Sequence, residues 1–377
     1  MFKSIQDPVW GYLEVPDGMD KIIDTSDFQR LHGIKQLGMC YLVFPGAVHT
    51  RFQHSIGTMH LASEFGLRLK TKYPRELAAA ALLHDIGHFP LSHSFESFFE
   101  RKLGKSHEDV SADIIGGKIG DGSVRDALLS IHIDPETVIK IIHGRNEELA
   151  MESSIISGPL DADEMDYLMR DSYFTGAGNT SFSIRRLIDI IQTDGKILYI
   201  EDKGLTSVES VLISRLLMHK SVYFHKTVRI AQKMIEMALE KYDGEPASLF
   251  RMNDYLFLES LAKDRECKEI MNRISRRELY KVVYSRDHNE EYDQGLEREF
   301  YEQYPDLILD YIPPYSFMDR KKAKNEVNIG RKGKMIDVKE VSPLLNSIYE
   351  SFNKRSLYVY GPEKNHELSE ELKNFFS

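Results

Sequence analysis

Leu82-Leu83-His84-Asp85-Ile86-Gly87-His88 closes an apolar run that begins at Glu76, and these seven residues decide how the rest of the chain is read. ELAAAALL (76–83) has the apolar content of a buried helix, and Gly87 with Pro90 ends it. Adjacent His84 and Asp85 therefore fall where a helix terminates inside the molecule. Burying an imidazole and a carboxylate together costs free energy unless they are hydrogen-bonded or bound to a metal ion. A capping Asp beside a satisfied core His would also explain the pair. The surrounding sequence has to choose between the two.

Outward from this run, apolar residues recur at three- and four-residue spacing in 28–37 (FQRLHGIKQL), 55–70, 110–119, 162–172 and 208–242. That spacing predicts a helix in each segment. The fold expected is mainly α, a helical array over 1–275 that carries a short N-terminal hairpin at WGYLEV (10–15) and strand-like residues at ILYIED (197–202). From residue 276 the pattern changes. LYKVVY, LILDYI, MIDVKEV and LYVYG are β-branched and aromatic, and they alternate with helical stretches at LEREFYEQY, PLLNSIYESF and HELSEELKNFF. A small α+β domain of unknown role is expected over 276–377. The basic segment from Asp319 to Lys334 reads as a solvated loop between strands.

Composition narrows the function. The chain has 377 residues, 42% of them hydrophobic and 29% charged, which suits an ordinary globular protein with a large domain and a smaller one. No apolar run approaches membrane-spanning length, and MFKSIQDPVWGYLEV lacks the features of a signal peptide, so a cytoplasmic location is expected. Cys40 and Cys267 are too few for a disulfide framework or a CxxC zinc site, which leaves His and carboxylates to hold any metal. A formal charge of −10 argues against general nucleic-acid binding. Fourteen histidines, the side chain that most often ligates transition metals, point toward a metal centre instead.

The company of the His84-Asp85 pair is specific. RFQHS (51–55), HEDVSADII (107–115) and GPLDADEMDYLMRDSYFTG (158–176) accompany it, together with DTSDFQRLHGIKQLG (24–38) and VFPGAVHTRFQHSIG (43–57). With these segments the chain from Asp7 to about Arg277 resembles the dNTP triphosphohydrolase branch of the HD superfamily, which includes bacterial dGTPases and a metazoan enzyme with a sterile-alpha-motif domain. The resemblance implies that His54, His84, Asp85 and Asp163 ligate one divalent transition metal, with Mg expected to accompany the nucleotide. Two imidazoles and two carboxylates suit Fe, Mn, Zn, Co or Ni and leave coordination positions open.

The resemblance also implies that His88, His93 and the pair His107-Glu108 surround the scissile phosphate, and His107 oriented by Glu108 is the expected general acid. Arg51 would reach a phosphate, as would Arg215, Lys220 or Lys226, and the resemblance favours Arg51 and Arg215. Tyr223 stands where the family stacks an aromatic on the base or sugar, and Gln36 and Leu37 where it contacts the sugar. Independently, Asp163, Tyr167 and Asp171 are spaced by four and share one helix face, offering a ligand, a phenol and a second carboxylate. Asp161 reads as an N-cap and Asp166 as a surface partner of Arg170.

The reaction implied is attack on the α-phosphorus of a dNTP, with release of triphosphate and deoxynucleoside. Two residues depart from the metazoan pattern: Glu164 replaces a phosphate-binding lysine, and Phe224 a sugar-contacting glutamine. Another nucleotide substrate (mono- or diphosphate, cyclic nucleotide or alarmone) is therefore an alternative, as is a non-catalytic nucleotide sensor. Lys3, Asp24, Gln29 and Arg277 match an activating-nucleotide site in which His32 replaces an arginine. The resemblance further implies a homo-oligomer.

Overall fold

The computed structural model describes residues 3–288, 294–312, 327–352 and 355–376. Its centre is a set of helices packed side by side: Arg51–Leu69, Pro74–Leu83 and Ala162–Thr175. Local chemistry starts and stops each one. Gln53 Oε1 reaches back to accept the Thr50 N–H at 2.9 Å at the start of the first. Pro74 takes the first turn of the second, where its missing N–H is not needed. Asp161 caps the third by accepting the Glu164 N–H at 2.6 Å, and Gly176 at φ 68° closes it. The Leu77–Leu83 stretch is completely enclosed, which puts His84 at a buried helix end.

Two expected helices are interrupted, both next to the site. Residues 28–37 form only a short helix (Ser26–Gln29) and a 3₁₀ turn (Arg30–Gly33), after which the chain extends at Ile34. Lys35 pairs with Thr50 as an isolated bridge and donates its N–H to Asp254 at 2.9 Å. The periodicity of Phe28, Leu31 and Ile34 thus reports burial and not helix continuation. In 208–242, Leu205–Met218 and Lys226–Glu240 are separated by a π-helical turn at His219–Tyr223. Such turns frequently occur at functional sites.

The mainly α array carries a small α+β region at its C-terminal end. Ser4–Asp7 and Gly11–Glu14 make the N-terminal hairpin. Lys281–His288 and Ile308–Ile312 flank Arg355–Gly361 in an antiparallel three-stranded sheet, and Phe300, Leu309, Leu357, Val359 and Leu372 build a separate core beneath it. Part of the basic segment is not loop: Asn328–Arg331 and Lys334–Asp337 form a hairpin whose first strand runs parallel to Leu198–Glu201. Residues 313–326 lie outside the described residues. A buried cluster also ties the three-stranded sheet to the helices: Asp310 accepts from Arg229 Nε at 3.1 Å and from the Tyr360 hydroxyl at 2.9 Å. Among the described residues no helix is long and apolar enough to cross a membrane.

Candidate metal centre

His54 sits one turn into the Arg51–Leu69 helix, His84 and Asp85 at the end of Pro74–Leu83, and Asp163 in the first turn of Ala162–Thr175. Helix packing brings them together. The nearest ligand atoms of His54, His84 and Asp163 lie within 4.8 Å of one another. Asp85 Oδ2 is 3.5 Å from His54 Nε2, and its Oδ1 is 3.4 Å from His84 Nε2.

The outer nitrogens decide how the imidazoles point. His54 Nδ1 donates to Asp166 Oδ2 and His84 Nδ1 to the Ala81 carbonyl, both at 2.8 Å. This leaves each Nε2 lone pair facing the carboxylates, the arrangement by which proteins orient metal-bound histidines. Neither Nε2 is hydrogen-bonded among the described residues although both atoms are buried, and His54 Nε2 lies 3.0 Å from Asp163 Oδ1 without the alignment of a hydrogen bond. A donor set of two imidazoles and two carboxylates with buried, unpartnered nitrogens fits a divalent metal.

The charges agree with that fit. Burial disfavours a charged His54, yet the carboxylates of Asp163 and Asp166 outweigh it and raise the imidazole to about 10. Burial likewise opposes ionised Asp163 and Asp85, but the neighbouring imidazoles, with Arg51 beside Asp85, hold both below the usual carboxylate range. A divalent cation would take the place of the proton on His54, the usual linkage between metal binding and imidazole.

Asp166 is not on the surface. It is fully buried, with Arg170 Nε on Oδ2 at 2.8 Å and Arg170 Nη2 on Oδ1 at 2.9 Å, while Oδ2 also holds His54. The Arg170 partnership is the expected one, but its place is the interior, where it orients a candidate ligand. Burial would raise this carboxyl; Arg170 and His54 keep it ionised, at about 2. Gly57 makes the approach feasible, because a Cβ there would lie 1.9 Å from Asp166 Oδ1. Gly57→Ala should therefore destabilise the protein by about 1–3 kcal/mol, as overpacking does, although alanine is the better helix former by about 1 kcal/mol. Thermal unfolding checks the sign; a stabilised variant would refute the close approach.

Around the quartet, His88 is buried, stacks on His107 at 4.3 Å, and sets Nε2 3.6 Å from Asp85 Oδ1. The carboxylate that holds His107 is Glu96, hydrogen-bonded to Nδ1, and not the expected Glu108, which is exposed. Residue 108 follows residue 107 by about 100° around a helix, so it turns to solvent while the Glu96–Leu103 helix supplies the partner. Burial would lower the His107 imidazole, but Glu96 overrides this and raises it. The His93 side chain lies outside the described residues.

Arg51 is buried against Asp85 and donates from Nε to Ser92 Oγ at 3.0 Å. Arg215, partly buried, meets Glu164 Oε1 at 3.3 Å, whereas Lys220 and Lys226 are exposed. The π-helical turn swings Tyr223 toward Asp171, whose Oδ2 accepts its hydroxyl at 2.8 Å. Asp171 Oδ1 is 2.8 Å from His49 Nε2, and Tyr167 meets the Tyr223 ring edge-on at 6.4 Å between centroids. Gln36 is buried and its backbone N–H donates to the His49 carbonyl at 3.0 Å; Leu37 is partly buried beside it. Together these place two phenols and a carboxylate in one neighbourhood, and the quartet in another along the same Ala162–Thr175 helix.

Comparison with known proteins gives the family. Residues 51–171 match the HD domain, and residues 182–376, about half the chain, match the HD associated region. The chain belongs to the HD-domain phosphohydrolase family. Among its HD relatives, an uncharacterized protein of Methanocaldococcus jannaschii is 35% identical over 98% of this chain and 81% of its own length. A protein of Dictyostelium discoideum named as a deoxynucleoside triphosphate triphosphohydrolase SAMHD1 homolog is 32% identical over 74% of this chain, which spans 60% of it. The crystal structure of a hypothetical protein from Aquifex aeolicus superposes over 100% of both chains with a TM-score of 0.82 and 29% identity.

Sequence reasoning missed several residues of this HD site. Asp166 had a usable signal: it follows Asp163 by three positions and so lies only about 60° from it around the helix, on the inward side. Glu96 and His49 had none, because each meets its partner across a tertiary contact, to His107 and Asp171 respectively.

Proposed function

We propose that this HD protein is a metal-dependent nucleotide phosphohydrolase, and that a dNTP is its substrate, cleaved to deoxynucleoside and triphosphate. The observation that carries the reading is the pair of buried Nε2 atoms of His54 and His84, which make no hydrogen bond among the described residues and face the Asp85 and Asp163 carboxylates. A divalent ion held by these four residues would supply Lewis-acid polarisation of a phosphate oxygen and an acidified water. The relative named as a deoxynucleoside triphosphate triphosphohydrolase supports the substrate.

The chain's own residues have distinct parts in this reading. Asp171, with His49 and Tyr223 on its two oxygens, is a rigid acceptor for a sugar hydroxyl. Tyr167 and Tyr223 offer ring faces and edges to the sugar or base, with Gln36 and Leu37 alongside. Arg51, fixed by Asp85 and Ser92, presents a guanidinium to phosphate. His107 carries the proton for the leaving oxygen, and His88 stacks against it.

Glu96→Gln tests the proton donor. Glu96 keeps His107 protonated to higher pH, so its loss lowers the imidazole pKa, and the alkaline limb of the pH–rate profile should move to lower pH. An unmoved limb removes His107 from the role.

A second reading keeps the centre and shortens the phosphate chain. Glu164 is buried and engages Arg215, so that guanidinium arrives partly neutralised where a polyphosphate would want it. Incubating metal-loaded protein with dNTPs, nucleoside mono- and diphosphates, cyclic nucleotides and an alarmone separates the two. Triphosphate as product supports the dNTP reading, orthophosphate alone sinks it, and an inert protein with every metal tried sinks both. A homo-oligomer, which the resemblance to the dNTP triphosphohydrolase branch implies, is also part of this proposal.

A further inference from the structure

The N-terminal hairpin ends at the metal centre. Its turn begins at Asp7, which is buried, accepts the Val9 and Trp10 N–H groups on Oδ1 at 2.8 and 2.9 Å, and receives Arg170 Nη1 on Oδ2 at 2.8 Å. Trp10 donates its indole N–H to Asp166 Oδ1 at 2.5 Å, across 156 positions of sequence. Asp166 is the carboxylate that orients His54.

Asp166 is thereby closed on every side. A carboxylate has about four acceptor directions; His54 takes one, Arg170 two, and Trp10 the fourth. Arg170, which fixes the plane of the carboxylate, is itself held by Asp7 of the same turn. The helix backbone at Gly57 forms the remaining wall, with no room for even one more carbon. Undocking the hairpin would release both the carboxylate and the arginine that aligns it, and would let water reach the rear of His54.

We propose that Trp10 is a positioning residue of the metal centre, whose indole locks Asp166 in the rotamer that presents His54 Nε2 to the ion, so that docking of the hairpin sets metal affinity. The inference rests on the metal-centre reading above. Loss of a partner hydrogen-bonded directly to a metal ligand typically weakens metal binding about 10- to 100-fold, and Trp10 acts one bond further out, through Asp166, so its loss should cost about 10-fold. Trp10 is also the only tryptophan of the chain, so its emission reports on the surroundings of this one side chain, the Asp166 contact among them. An ion on His54 draws the imidazole N–H toward Asp166 and changes the field at the indole.

The experiment is Zn²⁺ binding to metal-free full-length protein by equilibrium dialysis, for the wild type, Trp10→Phe and Trp10→His, with tryptophan emission followed in the wild type. The expected result is a Kd about 10-fold weaker in Trp10→Phe, the lower end of the range for direct partners of a ligand, at an unchanged circular-dichroism spectrum. Trp10→His, which restores an N–H donor, should recover much of that loss, and wild-type emission should change along the dialysis isotherm. Trp10→Phe binding as tightly as the wild type overturns the inference alone. A wild type that binds no metal overturns the metal-centre reading with it. If Trp10→Phe does not fold, the wild-type emission decides: a titration that leaves it unchanged while Zn²⁺ binds refutes the coupling.

Discussion

Asp85→Asn protein should fold, hold no stoichiometric metal, and lose turnover by more than about 100-fold, beyond what removal of an outer hydrogen-bond partner costs. Asp85 faces both imidazoles, at 3.5 Å from His54 Nε2 and 3.4 Å from His84 Nε2, and it also holds the Arg51 guanidinium proposed for phosphate. Asparagine keeps the shape and one acceptor oxygen, so the Arg51 contact survives in part while the charge is gone. Because an ion that binds only the folded state raises its stability, a chelator should lower the melting temperature of the wild type and leave that of Asp85→Asn unchanged. Elemental analysis, turnover and paired melts give the answer. A variant that keeps both metal and wild-type turnover would falsify the ligand assignment.

Asp166→Ala should be the most damaging change outside the quartet. It leaves Arg170, which is fully buried, with Asp7 as its remaining ionic partner among the described residues. Breaking a buried pair from one side costs about 3–5 kcal/mol, a large part of a typical folding free energy of about 5–15 kcal/mol. His54 also loses the acceptor that fixes its tautomer, so metal affinity should fall in whatever folded protein remains. Denaturant unfolding of metal-free protein isolates the stability term, and Zn²⁺ dialysis the affinity term. A loss of stability with unchanged Zn²⁺ affinity would show that Asp166 serves Arg170 only.

The two variants separate what could be read from what could not. Asp85 is legible through its company: an imidazole and a carboxylate at the end of an all-apolar helix leave a capping pair and a metal site both open, and the resemblance carried by RFQHS and DADEMD favours the metal. Asp166 reads as a surface residue because an i,i+4 pair with Arg170 is the ordinary signature of a solvated helix face. The position of the Arg51–Leu69 helix, with Gly57 turned toward it, puts this face inside, in keeping with the three-residue spacing of Asp166 from Asp163. Glu108 failed for a related reason, since sequence neighbours on a helix point in different directions and Glu96 reaches His107 from another helix.

The amino-acid sequence by itself determined the helical class, the β-rich change after residue 276, the exclusion of cysteine ligation, and the candidate ligands His54, His84, Asp85 and Asp163. Periodicity and residue type, which act over a few turns of chain, give the first three; the four candidate ligands are what the resemblance of the surrounding motifs to the HD superfamily implies. Tertiary structure alone decided which carboxylate orients which imidazole, that a π-helical turn delivers Tyr223 to Asp171, that Glu164 engages Arg215, and that the first hairpin reaches the rear of the metal centre. Hydrogen bonds depend on distance and direction within a few tenths of an ångström, and for residues 156 positions apart only the packing of the helices between them sets that geometry.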